Sequence, residues 1–289
     1  MEIAFVKMHG IGNDAVIIDG RGKTVRLDES LVRAIADRRR GVGCDQLILI
    51  EKPKNPGAAA AVRFWNADGG EIDACGNGSR CVAAHLMAES GTTALDLETQ
   101  AGLLHCRAAG ENHVVVDMGK PKLDWQEIPL AERMDTRKID VKVGPIDAPV
   151  LFGPSAVNMG NPHCIFFVDN ADAYDLARLG PMLEHHPMFP ERANVSLAQV
   201  RGPDAIRLRV WERGAGLTQA CGTAACAVVV AAVRRGLANR RADVTLDGGT
   251  LSIEWRESDD HVLMTGPVAL SFTGSFSPER LLSGVQARP

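Results

Sequence analysis

One phrase of sequence occurs twice in this chain and constrains its fold more than any other feature. Trp65 stands ten residues before Cys75, and Trp211 stands ten residues before Cys221. In both copies a glycine lies five residues before the cysteine, and the Cys-Gly pair opens an alanine-rich stretch typical of a helix. We therefore expect two similar halves, each carrying one thiol in the same local setting.

The repeat extends beyond the cysteines. A Gly-Asn pair precedes an apolar run in each half, and Gly160 lies 148 residues after Gly12, close to the 146 residues that separate the two cysteines. A chain of 289 residues is long for a single hydrophobic core, so two domains are the natural expectation. The polar, Pro- and Gly-containing stretch 119–124 predicts the border, which gives domains at residues 1–120 and 121–267.

Most of the chain reads as short strands. Apolar residues at 31, 34 and 35 predict an amphipathic helix over 29–39, capped by Asp28 and ended by Gly41, with a counterpart over 171–183. Residues 224–233 contain no charged side chain, so the helix after Cys221 should be buried on every side. Strands are predicted at 3–8, 46–51, 61–65, 95–99, 114–118, 139–143, 164–168, 195–200, 206–211, 244–246, 251–255 and 262–264.

Composition excludes several classes of protein. The formal net charge of -4 gives no reason to expect a nucleic acid or an anionic membrane as partner. No signal peptide is apparent and no run of about 18 apolar residues occurs, so we expect a cytoplasmic protein without a membrane span. Seven cysteines with no C-x-x-C pair indicate neither a disulfide framework nor a zinc ribbon.

Two tempting motifs fail on context. Residues 10–15 match G-x-G-x-x-A, but a strand rather than a helix follows, so a dinucleotide site is not expected. His163, Cys164, His185 and His186 lack the spacing of zinc ligands and are better explained as surface histidines and a core thiol, so no metal is predicted. The cysteines outside the repeat are expected to be small buried residues, namely Cys44, Cys81, Cys106, Cys164 and Cys226.

The two Cys-Gly sites favour chemistry instead. A thiol at a helix N-terminus feels the positive end of the helix dipole and unpaired N–H groups, which favour its thiolate. The following glycine lets a carboxylate approach the same backbone donors. Inversion of a stereocentre by proton transfer needs a base on one face of a carbon and an acid on the other. A thiolate and a thiol can supply both and can exchange roles when the reaction reverses.

Seven ordered motifs then identify the chain as a member of a family. They make the chain resemble diaminopimelate epimerases from about residue 4 to the mid 260s: residues 8–14 (Met-His-Gly-Ile-Gly-Asn-Asp), 43–46 (Gly-Cys-Asp-Gln), 66–69 (Asn-Ala-Asp-Gly), 75–81 (Cys-Gly-Asn-Gly-Ser-Arg-Cys), 159–163 (Met-Gly-Asn-Pro-His), 191–195 (Glu-Arg-Ala-Asn-Val) and 212–223. The resemblance implies an α+β fold of two pseudo-symmetric β-rich domains, each a β-roll or barrel around a central helix. The active site would lie in the interdomain cleft, and the tail, about 268–289, would join the first domain.

The activity implied by the resemblance is interconversion of LL- and meso-2,6-diaminopimelate, without a cofactor, in lysine and peptidoglycan-precursor biosynthesis. It implies a homodimer and a small amino-acid substrate. Cys75 and Cys221 would be the acid–base pair, and His163 and Glu212 would tune the thiols. The residues implied to bind substrate are Asn13, Gln46, Asn66, Gly76, Asn77, Asn161, Asn194, Glu212, Arg213, Gly222 and Thr223.

Two departures from the family pattern and two rival functions stand beside this prediction. Ala15 replaces a larger aromatic residue, and Ala224 stands where glycine is common.

A proline or hydroxyproline racemase would use a similar cysteine pair, although the Asn-rich set argues against it. A cysteine hydrolase with Cys75 as nucleophile and His163 as base would not need Cys221.

Overall fold

The computed structural model describes residues 2–73, 75–145 and 147–286. By its internal contacts the chain divides into two compact units. Unit 1 comprises Met1–Val116 and Gly266–Pro289, and unit 2 comprises Asp117–Thr265. Each unit is β-rich and contains few helices, which confirms the predicted fold class.

The elements follow in chain order. The strands are β1 (Ile3–Gly10), β2 (Asn13–Asp19), β3 (Gln46–Glu51), β4 (Ala60–Asn66), β5 (Glu71–Ile72), β6 (Ala94–Thr99), β7 (Gly102–Ala108), β8 (His113–Asp117), β9 (Lys142–Val143), β10 (Leu151–Phe152), β11 (Ser155–Asn158), β12 (Pro162–Phe167), β13 (Asn194–Gly202), β14 (Ala205–Glu212), β15 (Gly216–Leu217), β16 (Arg241–Leu246), β17 (Gly249–Trp255), β18 (Val262–Pro267) and β19 (Ala269–Phe276). The helices are α1 (Glu29–Ala36), α2 (Gly76–Ser90), α3 (Leu176–Glu184), α4 (Gly222–Arg234) and α5 (Pro278–Gln286). Within the described ranges no helix is long and apolar enough to cross a membrane.

Unit 1 is a curled sheet with a helix on each face. β1 pairs with β19 and β2, β2 runs parallel to β3, and the order continues through β4, β6, β7 and β8. α2 contacts β1 and β2 near one end of this order and β6 and β7 near the other, so the sheet bends around it. Alternate strand residues face the other way and pack on α1, as Val16 and Leu47 do.

Unit 2 repeats the order of the main strands of unit 1, although β19 has no counterpart among its described residues. β11 pairs antiparallel with β12, β12 runs parallel to β13, and β14, β16, β17 and β18 follow in order. α3 packs on β13 and β14, whereas α4 contacts all of β11 to β14 together with β16 and β17. The strand order and helix placement are those of unit 1, so the repeat read in the sequence is a repeat of structure.

The central helix α4 is buried on every side, as its lack of charge predicts. Its residues from Ala224 to Ala232 are all buried, and most are alanine or valine. Small side chains let the surrounding strands approach the helix axis closely. This packing holds the residue before the helix, Cys221, in a fixed position.

The two amphipathic helices are shorter than predicted. α1 ends at Ala36 rather than at residue 39, because the Asp37 carboxylate accepts the N–H groups of Arg39 and Arg40 in place of further helical bonds. In the counterpart, residues 171–173 form a separate 3₁₀ turn, and Asp175 caps a new helix that begins at Leu176. The strand predicted at 139–143 is present only at its last two residues, in β9.

Candidate active site

The two repeated cysteines occupy the same backbone position in their units. Cys75 is the residue that caps α2, with φ -138° and ψ 112°, and Cys221 caps α4 with φ -133° and ψ 110°. Each thiol therefore lies where the first N–H groups of a helix have no partner within the helix. The Cys75 sulfur accepts the Gly78 N–H at 3.4 Å, while the Cys221 sulfur lies 3.5 Å from the Thr223 hydroxyl.

The two thiols differ in exposure and in their neighbours. Cys75 is partly exposed, and its sulfur lies 3.6 Å from the Gln46 Oε1 atom. Cys221 is buried, and burial raises its pKa well above the ordinary value, with the negative charge of Glu212 adding to the rise. The Thr223 hydroxyl and the Ala224 N–H act in the opposite direction but do not cancel it. Cys221 is therefore a protonated thiol at neutral pH.

Strand register brings the predicted binding residues of unit 1 to one place. Gln46 begins β3 opposite Ala15 of β2, and on its other side it faces Asn66 of β4. Asn13 lies two residues before Ala15, at the start of β2. Asn13, Gln46 and Asn66 therefore lie at the same end of three neighbouring strands, and Gln46 contacts the Cys75 thiol.

The same register recurs in unit 2. His163 of β12 faces Asn194 of β13, and Asn194 lies across from Glu212 because Val195 pairs with Trp211 in antiparallel register. Glu212 accepts a hydrogen bond from Thr218 and also faces Cys221. The positions of Gln46 and Asn66 in the first copy thus correspond to Asn194 and Glu212 in the second.

His163 is fully buried, so its expected surface placement is wrong, whereas His185 is exposed and Cys164 is a core thiol as predicted. A ring nitrogen of His163, Nε2, lies 2.8 Å from Asn161 Oδ1. Burial, with a smaller contribution from the charge of Arg213, lowers the pKa of His163 to about 3. The ring is therefore neutral at physiological pH and donates to Asn161.

Acid is expected to destabilise the fold through His163. In the unfolded chain this histidine takes up a proton near pH 6.5, whereas in the folded chain it does so only near pH 3. Between these values the unfolded state binds more protons, so the free energy of unfolding decreases as the pH falls, by at most about 1.4 kcal/mol per pH unit from this group. Urea unfolding of His163→Gln should depend less on pH between 7 and 4.5. The exposed His185→Gln is the control, and equal pH dependence in all three proteins would contradict a neutral, buried His163.

Asn194 and Arg213 are held by backbone groups. The Asn194 side chain donates to the Pro162 carbonyl at 3.1 Å and accepts the Arg213 N–H at 2.9 Å, so it ties β12 to the turn after β14. The Arg213 guanidinium donates to the Glu191 carbonyl at 2.8 Å. The remaining N–H groups of this guanidinium can bind a carboxylate.

A buried carboxylate missed by sequence reasoning holds the same turn. Glu184, at the end of α3, accepts the Trp211 indole N–H at 2.7 Å and the Gly214 N–H at 3.1 Å. Gly180 packs so closely that a Cβ there would lie 2.4 Å from the Trp211 ring. Since Glu212 and Arg213 lie between the two anchored residues, α3 fixes their position. The partners are 27 and 30 residues away from Glu184, and no local pattern indicates the contact.

In unit 1 a cluster of charged side chains lies at the start of β2 and β3. Asp14 and Asp45 each donate a backbone N–H to the other's carboxylate, at 3.0 and 2.8 Å, and Arg38 bridges both carboxylates. Lys7 pairs with Asp14 at 2.9 Å. Each aspartate is the immediate neighbour of a predicted binding residue, Asn13 or Gln46. Both aspartates lie within the family motifs at residues 8–14 and 43–46, so the motifs could have indicated them in the sequence.

The departure at Ala224 falls at the position equivalent to Gly78 of the first copy, and the structure does not explain why alanine stands there. A Cβ at the equivalent Gly78 would lie 2.8 Å from the Ile48 side chain and 3.2 Å from Phe64, so the first copy needs glycine there. Ala224 is fully buried at the corresponding place in α4, and its N–H still faces the Cys221 thiol.

Within the described part of the chain, no group of three or more His, Cys, Asp or Glu side chains could hold a metal ion.

Comparison with solved structures identifies the fold. The chain is similar to a hydroxyproline epimerase from Agrobacterium vitis, with a TM-score of 0.68 and 14% identity, covering 95% of this chain and 92% of that one. It is also similar to a PhzF-family phenazine biosynthesis protein from Bacillus anthracis, with a TM-score of 0.65 and 16% identity over 96% and 99% of the two chains. The chain therefore shares the fold of these two proteins.

Sequence comparison is more specific. The family model for diaminopimelate epimerase matches residues 5–123 and 155–271. The diaminopimelate epimerase of Rhodopseudomonas palustris is 56% identical over 276 residues, which cover 95% of each chain, and that of Caulobacter vibrioides is 54% identical over 95% of this chain and 97% of its own. The chain belongs to the diaminopimelate epimerase family.

Proposed function

We propose that this protein interconverts LL- and meso-2,6-diaminopimelate by a two-base reaction, in which one of Cys75 and Cys221 removes the α-proton and the other donates its own proton to the opposite face of the carbon. The observation that carries the proposal is the equivalence of the two thiols. Both cap the central helix of a repeated unit, with backbone angles that agree within a few degrees. Two like thiols can act on opposite faces of one carbon, whereas a single nucleophile would need no second copy.

The two thiols start from different protonation states. Burial and Glu212 keep Cys221 protonated, so in one direction of the reaction it is the acid that donates a proton to the α-carbon. Cys75 then supplies the base, and the first N–H groups of α2 and the sulfur contact with Gly78 favour its thiolate form. After inversion the roles are exchanged, so the reverse reaction uses the same pair.

Acid–base groups alone cannot deprotonate an amino-acid α-carbon fast enough. Positioned general acids and bases contribute about 10²–10⁴-fold, so charge that builds on the carboxylate must also be stabilised. The helix N-termini provide donors that are already oriented, each worth about 2.7–4 kcal/mol in comparable oxyanion sites. We assign this task to the backbone of Gly76, Asn77, Gly222 and Thr223, with the Thr223 hydroxyl as a further donor.

The distal amino-acid end needs a cation, an anion and amides. Arg213 can bind the distal carboxylate through the N–H groups not used by Glu191, and Glu212 can accept from an ammonium group. The amides assigned to substrate are Asn13, Gln46, Asn66, Asn161 and Asn194. Neutral His163 acts as an auxiliary residue that orients Asn161.

Conversion of the substrate by the purified protein tests the proposal. LL-diaminopimelate incubated with the protein and no added cofactor should approach a mixture with meso-diaminopimelate, measured by chromatography that separates the stereoisomers. L-Proline and trans-4-hydroxy-L-proline are the matched substrates for the rival racemase activity and should remain unchanged. Inversion of either imino acid with no conversion of diaminopimelate would contradict the proposal.

We place this reaction in the cytoplasm, in the supply of lysine and of a peptidoglycan precursor, and we propose a homodimer. β19, which pairs with β1, exposes the apolar side chains of Leu270 and Phe272. Sedimentation velocity at micromolar concentration should show a species of twice the 30.9 kDa chain mass. A single species at the chain mass would contradict the dimer without affecting the proposed reaction.

A further inference from the structure

Arg80, in the second turn of α2, is a fully buried arginine. A guanidinium always carries its charge, and moving that charge out of water costs several kcal/mol unless the surroundings compensate. The Arg80 Nη2 atom donates to the Asn77 Oδ1 atom at 2.5 Å. Asn77 is itself almost fully buried and lies two residues after Cys75.

Unit 2 shows that the fold does not require an arginine at this position. The equivalent residue of α4 is Cys226, also fully buried, and Thr223 replaces Asn77. α4 nevertheless contacts β11, β12, β16 and β17, the strands equivalent to those that α2 contacts in unit 1. The buried cation is therefore a feature added to one copy of the repeat.

The end of β1 is shaped to accommodate this guanidinium. A Cβ added at Gly10 would lie 2.7 Å from Arg80 Nη2, so glycine makes the room. Gly10 pairs with Asn13 across the turn between β1 and β2. Arg80 thus lies between the first turn of α2 and the turn that joins β1 to β2. Asn13, another assigned binding residue, begins β2 directly after this turn.

We infer that Arg80 is a positioning residue that orients the Asn77 amide so that its Nδ2 group serves as a donor to a carboxylate of the substrate. The reason is chemical: a guanidinium can only donate, so the amide atom that faces it must be the oxygen. The NH₂ group of Asn77 is then directed away from Arg80, where it needs a hydrogen-bond acceptor. A carboxylate at the N-terminus of α2 is such an acceptor, and the helix dipole favours it. This inference rests on the proposed function.

Asn77→Asp separates positioning from a purely structural role. An aspartate still accepts from Arg80, more strongly than the amide, and an acidic residue suits the first turn of a helix. The melting temperature should therefore be retained or raised. The donor to the substrate is lost, so the KM for LL-diaminopimelate should rise about 10- to 100-fold. An unchanged KM in a folded Asn77→Asp protein would overturn the inference.

A double-mutant cycle tests whether Arg80 acts through Asn77. Arg80→Lys keeps the charge but loses the planar fork, and it should raise KM about 10-fold with a much smaller change in kcat. In an Asn77→Ala background the same substitution should leave KM unchanged, because there is no amide to orient. An equal effect of Arg80→Lys in both backgrounds would overturn the inference. If Arg80→Lys does not fold, Gly10→Ala displaces the guanidinium from the other side and takes its place in the cycle.

Calorimetric titration with LL-diaminopimelate distinguishes failure of this inference from failure of the proposed function. The dissociation constant should follow the same pattern as KM across the four proteins of the cycle. Wild-type protein that binds diaminopimelate without converting it would contradict the proposed function and still allow Arg80 to be tested. Wild-type protein that converts it while all variants bind equally well would overturn the role of Arg80 alone.

Discussion

Cys75→Ser and Cys221→Ser are each expected to reduce kcat for LL-diaminopimelate by at least about 10³-fold, within the range that positioned acid–base groups contribute. A serine hydroxyl is a much weaker acid than a thiol, so neither variant can complete a proton relay that needs both residues. Serine is a good helix N-cap, and the Cys75 variant can still accept the Gly78 N–H, so the fold should persist. Steady-state conversion and circular dichroism together measure both effects.

Cys106→Ser is the matched control for these variants. Cys106 is a buried thiol of unit 1 whose sulfur contacts the Leu104 carbonyl, a bond that a serine hydroxyl can also make. Its kcat should stay close to that of the wild type. Substantial activity in Cys221→Ser would contradict the two-thiol account and favour the hydrolase alternative, in which Cys75 acts without a second cysteine.

Glu212→Gln is expected to lower the pKa of the Cys221 thiol and to reduce kcat/KM by about 10²-fold. The carboxylate disfavours a thiolate beside it, so its removal favours the thiolate, although burial, the larger cause of the raised pKa, remains. The variant also loses the acceptor proposed for a substrate ammonium group, and a charge-assisted hydrogen bond is worth about 1.5–3 kcal/mol. The two changes act on different observables.

Alkylation of Cys221 measures the first change directly. The rate of modification by iodoacetamide, followed by mass spectrometry of the Cys221 peptide, should increase at a lower pH in Glu212→Gln than in the wild type. Glu257→Gln removes the same charge from an exposed position of unit 2 and should leave the profile unchanged. A Cys221 profile that shifts to higher pH, or does not shift, in Glu212→Gln would show that this carboxylate does not control the thiol.

The sequence predicted the repeat and the central helices because these depend on spacing and on local hydrophobicity. α4 is buried as its uncharged sequence requires, and the positions of Asn66 and Glu212 correspond in the strand register as they do in the repeat. Among the residues implied by the family motifs, Gln46 contacts the Cys75 thiol, and Glu212 and Thr223 contact the Cys221 thiol.

Features that depend on tertiary contacts could not be predicted. The burial of His163 results from packing around β12, and Glu184 contacts residues about 30 positions away. The predicted end of α1 was also wrong, because the Asp37 carboxylate accepts the N–H groups of Arg39 and Arg40, which would otherwise continue the helix. The asymmetry between Arg80 and Cys226 is visible in the sequence, but its meaning requires the contact with Asn77.

The isotope content of early reaction samples in D₂O tests the central claim most directly. The proton that one thiolate removes stays on that sulfur, on one side of the α-carbon. The other thiol has exchanged its proton for a deuteron before the substrate binds, and it donates that deuteron to the opposite side of the α-carbon in the product. At low conversion the meso-diaminopimelate should carry one α-deuterium, and the remaining LL-diaminopimelate should carry almost none. Deuterium that enters the LL isomer as fast as the meso isomer forms would contradict the two-thiol mechanism.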